Sequence, residues 1–174
     1  MAVVSAARPG AAQGREGGSI SQSEPPSKAA VVLASTRHLS VRATLSDTEV
    51  TPGARISLVV EITPNAGMHV YAPGGTYRPV AVRLQPQPFV RAHDVVYPKP
   101  EDYFYEPLNE HAMVYSEPFR LLQDLTVGET VDPKAPFRAS RVTLTGVLEY
   151  QACDDKFCYL PTSVPLQWTV KIKR

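Results

Sequence analysis

Five residues near the C-terminus constrain this chain most. In "SVPLQWTVKIK", Val164, Leu166, Trp168, Val170 and Ile172 alternate with polar neighbours almost without exception. A period of two puts every one of those side chains on one face of an extended strand, so the segment must lay that face on a core while the other meets water. The same pattern recurs upstream. In "ARISLVVEIT", Ile56, Leu58, Val60 and Ile62 share a face, and in "RVTLTGVLEYQ" Val142, Leu144, Leu148 and Tyr150 do so. Shorter candidates are "HLSVRATL" (Leu39, Val41, Ala43, Leu45), "GMHVYA", "PVAVRLQP" (Val80, Val82, Leu84), "VRAHDVVY" and "AMVYSEPFRLLQDL".

Turn signals ("TPGA", "TPNAG", "APGG", "YPKPED", "SEP", "DPKAP") separate these runs, and most of the 17 prolines sit in the breaks, where a missing N–H costs no ladder hydrogen bond. No segment carries a helical stripe. Many short strands at near-regular spacing predict an all-β fold, an immunoglobulin-like antiparallel β-sandwich. The apolar and aromatic residues on its inner faces, Trp168 included, are expected to be core. Residues 1 to about 35 ("RPGAAQGREGGSISQSEPPSKAA" and its flanks) are rich in Gly, Ala, Ser and Pro without periodicity, which predicts a disordered, flexible arm or linker ahead of a domain at 36–174.

Eighteen Lys and Arg against 17 Asp and Glu give a formal charge of +1 with no long block of either sign, so neither nucleic acid nor a membrane surface is an expected partner. No run reaches the 18 or more apolar residues of a transmembrane helix, and the chain as given is expected to be soluble. The start, "MAVVSAARPGAAQG", lacks a basic n-region and is broken by Arg8 and Pro9, making it a poor secretory signal. A cytoplasmic chain, an upstream start and a trimmed signal are all compatible with it. The compartment therefore stays open, and compartment decides whether a cysteine pair is normally oxidised.

Both cysteines lie in "LEYQACDDKFCYLP", separated only by Asp154, Asp155, Lys156 and Phe157. A zinc site would need a second pair of ligands, and His38, His69, His93 and His111 are isolated, so neither metal nor cofactor is expected. A disulfide closing so short a loop stabilises by only about 2 kcal/mol in the chain-entropy picture, which counts modestly against a purely structural staple. The spacing puts both sulfurs at a hairpin tip, but it is not the familiar C-x-x-C, and staple and redox couple remain open on spacing alone. Asp154 and Asp155 disfavour a thiolate and Lys156 offsets part of that, so a free thiol here would be a slow nucleophile until a docked partner changes its surroundings.

The run Tyr150-Gln151-Ala152-Cys153, followed by Cys158-Tyr159, Pro161 and Val164-Pro165-Leu166, resembles the redox-active hairpin of the N-terminal periplasmic domain of the thiol:disulfide interchange protein DsbD family. The resemblance extends to "NAGMHVYAPGG" and "PEDYFYEPLNEHAMVYSEPFRL", about residues 38–172 in all, with the Y-Q-x-C…C-Y-x-P portion the most specific. It implies a periplasmic oxidoreductase module that relays electrons by thiol–disulfide exchange. The donors it implies are thioredoxin-like proteins or domains and a membrane-embedded reductase. The acceptors are disulfide isomerases and cytochrome c maturation factors. By the same resemblance Cys158 is the attacking, partner-bridging residue and Cys153 the resolving one. The motif "EDYFY" supplies a cap loop, with Tyr103 and Phe104 shielding the pair and Asp102 as an acidic neighbour, and Tyr71 stands beside the cysteines.

Three departures from the family pattern stand out. The cysteine spacing is one residue shorter, and the segment between the cap and "MVY" is longer. The aromatic two before Tyr71 is replaced by His69, whose imidazole either tunes a nearby thiol or sits on the surface, the latter being the more ordinary place for histidine. Lacking transmembrane segments and a C-x-x-C motif, the chain as given is expected to receive electrons from another protein. The alternative reading is a non-catalytic β-sandwich interaction module whose hairpin disulfide is structural.

Overall fold

The computed structural model describes residues 31–128 and 137–173. In chain order its strands are β1 (Val31–Ser35), β2 (Leu39–Leu45), β3 (Glu49–Val50), β4 (Ala54–Pro64), β5 (His69–Tyr71), β6 (Ala81–Leu84), β7 (Val90–Val96), β8 (Glu101–Tyr105), β9 (Glu110–Tyr115), β10 (Phe119–Val127), β11 (Arg141–Tyr150), β12 (Ala152–Cys153) and β13 (Thr162–Ile172). One turn of 3-10 helix, Glu106–Leu108, joins β8 to β9, and no α-helix occurs among the described residues.

Two sheets make the sandwich. One has the order β1-β2-β4-β10-β7 and the other β3-β13-β11-β6. All their pairings are antiparallel except the two-residue β3–β13 contact. The alternation seen in the sequence is what closes them together. Val41, Ile56, Leu58, Val60, Ile62, Leu144, Leu148, Val164, Leu166 and Val170 all turn inward and are buried in one continuous core. Trp168 is 2% exposed, and its indole N–H reaches across to the carbonyl of Ala43 at 3.4 Å, tying one sheet to the other. Gly146 lets β6 approach β11 closely, since a Cβ there would stand 2.5 Å from the Arg83 carbonyl oxygen.

Val31–Ser35, which composition assigns to the flexible arm, pair along their whole length with β2 as an edge strand. Five residues with only Val32 and Ala34 partly packed on the core give too short an alternation to stand out beside a Gly- and Ala-rich segment. The remainder of the expected arm, residues 1–30, lies outside the described residues.

A third, smaller sheet, β12-β5-β9-β8, caps one end of the sandwich. It grows out of the β11–β13 hairpin, whose ten pairs run from Arg141↔Lys171 to Tyr150↔Thr162. Past Tyr150 the chain leaves that sheet, pairs Ala152 and Cys153 with Val70 and His69 of β5, and turns back through Cys158. Both cysteines are thereby delivered to the seam between sandwich and small sheet.

Candidate functional site

Cys153 and Cys158 face each other across a β-bridge and form a disulfide, with their Cα atoms 4.1 Å apart. The turn between them is built by Asp154. Its carboxylate accepts the backbone N–H of Lys156 at 2.8 Å and of Phe157 at 2.7 Å, and the Tyr159 hydroxyl at 2.9 Å. Those two amide donors first, and then the Tyr159 hydroxyl, hold the Asp154 carboxyl below its ordinary range. Of the two acids read from the sequence as discouraging a thiolate, Asp154 thus serves chiefly to shape the turn.

The two sulfurs sit in unlike surroundings. Cys153 is 1% exposed, whereas Cys158 is an exposed residue. The Tyr71 hydroxyl lies 3.0 Å from Cys153 Sγ and 3.5 Å from Cys158 Sγ. A disulfide has no S–H, so the hydroxyl is the donor in both contacts. Burial, reinforced by Tyr77, Glu110 and Tyr103, pushes the Tyr71 phenol up to about 12, and it stays a donor throughout the physiological range. Tyr77 stacks on the Tyr71 ring at 4.2 Å and donates its hydroxyl to Glu110 Oε2 at 2.8 Å.

The region read as a cap loop is a β-ribbon, β8–β9, closed by the 3-10 turn and by Asn109, which takes φ 50. That conformation suits asparagine better than most residues. Period two divides the "EDYFY" side chains between its faces. Tyr103 and Tyr105 face inward, where they line a cavity of about 70 Å³ together with His69, Tyr71, Tyr77, Glu110, Cys153 and Cys158. Tyr103 lies over the His69 ring at 4.5 Å and donates its hydroxyl to Asp155 Oδ1 at 3.2 Å, so the ribbon is latched to the cysteine turn.

Asp102 and Phe104 belong to the outer face. Asp102 bonds His111 Nδ1 at 3.0 Å, and Phe104, 47% exposed, packs on the His111 ring at 4.8 Å. Neither lines the cavity. Of the expected site residues the structure therefore brings together Cys153, Cys158, Tyr71, His69 and Tyr103, and places Asp102 and Phe104 apart. Tyr105, Tyr77 and Glu110 are among the further residues that line the cavity. Tyr105 was readable from the same alternation, while Tyr77 stood in a segment that reads only as a turn.

His69 departs from the surface position that its polarity suggested. It is 4% exposed, opposite Cys153 in the β5–β12 register, edge-on to Tyr71 and beneath Tyr103. Its Nε2 is buried without a hydrogen-bond partner. Burial holds the imidazole below its ordinary range, against the opposite pull of Asp155, Asp154 and Glu101.

The other flank of the tip is anchored to the sandwich. Tyr159 packs on His38 at 4.5 Å with the Arg37 guanidinium 5.0 Å from its ring centre, and Tyr150 shares a hydrogen bond of 3.0 Å with Thr36. A larger groove of about 990 Å³ between β2, β4 and the 98–101 and 117–120 segments holds neither cysteine.

The fold that carries this site has counterparts among known proteins. The family model described as the N-terminal part of the thiol:disulfide interchange protein DsbD matches residues 36–166. No curated protein matches the chain. Among solved structures, the N-terminal periplasmic domain of ScsB from Proteus mirabilis superposes with a TM-score of 0.52 at 13% identity, over 80% of this chain and 50% of that one. The likeness is one of fold, and the chain spans about half the length of that structure.

Proposed function

Because the chain belongs to the family of the N-terminal domain of the thiol:disulfide interchange protein DsbD, we propose that it is a thiol–disulfide exchange module working through Cys153 and Cys158. The observation that carries this reading is the asymmetry of the pair, an exposed Cys158 bonded to a Cys153 that is 1% exposed and hydrogen-bonded by Tyr71.

Exchange depends on which sulfur is reachable and on how well the other departs. An incoming thiolate attacks Cys158 Sγ, a mixed disulfide forms there, and the electron pair of the broken bond stays on Cys153 Sγ, where the Tyr71 hydroxyl stabilises it. A second thiol of the donor then releases the reduced pair. In the other half-cycle the Cys158 thiolate attacks an acceptor disulfide, and Cys153 attacks Cys158 Sγ to resolve the mixed species and restore its own disulfide. Two electrons pass to the acceptor.

Phe157 and Leu160, exposed beside Cys158, and Leu108 on the ribbon turn form an apolar rim suited to a thioredoxin-like partner. Donor and acceptor are taken to be of the kinds the family implies: a thioredoxin-like or membrane-embedded reductase on one side, and disulfide isomerases or cytochrome c maturation factors in the periplasm on the other.

Trapping tests the assignment. Cys153→Ser should accumulate a stable mixed disulfide with a thioredoxin-like protein through Cys158, and Cys158→Ser should accumulate none. The reverse pattern would exchange the two roles. A pair that neither variant can trap, with a reduction potential below about −300 mV, would identify a structural disulfide instead.

A further inference from the structure

His69 is the one titratable side chain of the cavity whose buried polar atom stands without a partner. Each of its neighbours is otherwise engaged. Tyr71 donates to the sulfurs, Tyr77 to Glu110, and Tyr103 to Asp155, while Asp154 accepts from its own turn. An orphaned nitrogen in a buried site is costly unless some state of the protein uses it. In the oxidised protein none does.

Placement indicates which state would. His69 and Cys153 are directly opposed on adjacent antiparallel strands, so their side chains leave the small sheet on the same side and line the same cavity. Cys153 is also the sulfur that receives the electron pair when the disulfide opens at Cys158. A thiolate there would be buried in the cavity that Asp154 also lines, with one phenol as its donor. One hydrogen bond leaves such a charge under-compensated.

We propose that His69 is the proton-holding group of the redox step, taking up a proton when Cys153 is released as a thiolate and giving it back when the disulfide re-forms. On reduction an incoming thiolate bonds Cys158 Sγ, the Cys153–Cys158 bond breaks with its electron pair on Cys153 Sγ, and a proton from water enters the imidazole, leaving a Cys153 thiolate paired with a His69 imidazolium. On oxidation Cys153 Sγ spends that pair on the bond to Cys158 Sγ of the mixed disulfide, the partner's sulfur leaves as a thiolate, and the imidazolium, having lost its counter-charge, returns the proton to water. Asp154, Tyr71 and Tyr103 line the same cavity, and the carboxylates of Asp155, Asp154 and Glu101 act on the imidazole through their charge. These carboxylates do not gain or lose a bond in the redox step, so they bias the imidazole alike in both states.

This inference rests on the exchange reading for its place in a cycle, but its test needs no partner protein. The imidazole signals of the intact chain are followed by NMR against pH, once oxidised and once reduced with an excess of a small phosphine. The His69 midpoint should rise by about one pH unit or more on reduction, the size expected when an opposite charge appears alongside. His38, whose imidazole is held down first by its burial and then by Arg37, should not move. An unchanged His69 midpoint overturns the proposal, because the imidazole then takes up no proton when the disulfide opens. If the midpoint moves while Cys153→Ser traps no partner, the proton coupling stands and the exchange reading fails.

Discussion

The β11–β13 hairpin and the β8–β9 ribbon are both antiparallel pairs, but they are held by different means. The hairpin buries Val142, Leu144, Leu148, Tyr150, Val164, Leu166, Trp168 and Val170 along one face in the common core. The ribbon has five pairs, and at its outer end no residue from Glu101 to Met113 is buried. It rests on a separate small cluster of Tyr71, Val114 and Cys153, fringed by Tyr77, Tyr103 and Ala112, and on single hydrogen bonds. Area holds the first and point contacts hold the second. Protein stability should therefore depend on the hairpin, and access to the disulfide on the ribbon.

The largest expected break in that division is Trp168→Ala. Removing a fully enclosed indole from between the sheets should cost about 3–5 kcal/mol, read as a lowered denaturant midpoint. The disulfide should still be reduced by small thiols at the native rate for as long as the protein is folded. A loss below about 1 kcal/mol would mean that the two sheets do not depend on one another.

Next comes Tyr71→Phe, which keeps the ring stacked on Tyr77 and deletes only the hydroxyl that donates to Cys153 Sγ. A hydrogen bond to a charged group contributes about 1.5–3 kcal/mol, so losing it from the departing thiolate should slow reduction by about tenfold or more. Stability of the oxidised protein should change far less. Stopped-flow reduction with dithiothreitol separates the two effects, and equal changes in both would show the hydroxyl to be structural.

Smaller still is the effect of Tyr103→Ala on folding. The variant removes the ring over His69 and the latch to Asp155, both on a half-exposed strand, and should cost no more than about 1 kcal/mol. The same change should speed reduction of the disulfide by small thiols severalfold, since nothing else in the ribbon contacts the cysteine turn with a hydrogen bond among the described residues. A rate that does not rise would mean that the ribbon does not restrict access.

The same contrast explains what the sequence disclosed. Strands β2, β4, β11 and β13 were legible because each must bury a face, and burial writes a period of two into the residues. Strand β8 buries no side chain, so "EDYFY" carries no apolar alternation and reads as loop, although the alternation of its aromatic positions already separates Tyr103 and Tyr105 from Asp102 and Phe104. Strand β1 is an edge held by main-chain pairing, which leaves little mark on composition. The cysteine turn was legible through its motif, but the asymmetry of its two sulfurs was not. That depends on β12 turning onto β5, a long-range pairing of residues 69 and 153 that no local pattern encodes. The burial of His69 was hidden for the same reason, because a polar residue in a three-residue strand gives no sign of the lid above it.

The smallest effect concerns acid, and it distinguishes the two regions by their buried histidines. His38, at the junction of hairpin and sandwich, and His69, under the ribbon, are both held below the ordinary value of 6.5, in each case first by burial. For such a base the unfolded chain takes up protons before the folded one does. Stability is then fully present above pH 6.5 and falls as the pH drops from there toward the folded-state midpoints. Denaturant midpoints of the oxidised protein should decline between pH 7.5 and pH 5.5, and His69→Phe should remove part of that decline. Reduction sharpens the comparison. A Cys153 thiolate beside His69 raises the imidazole back toward 6.5 or beyond, so the His69 share of the acid sensitivity should shrink or reverse in the reduced protein. The His38 share should persist, because its neighbours Tyr159, Tyr150 and Arg37 undergo no redox change. Equal acid sensitivity in both redox states, with and without His69, would mean that the region under the ribbon is as indifferent to the sulfurs as the sandwich itself.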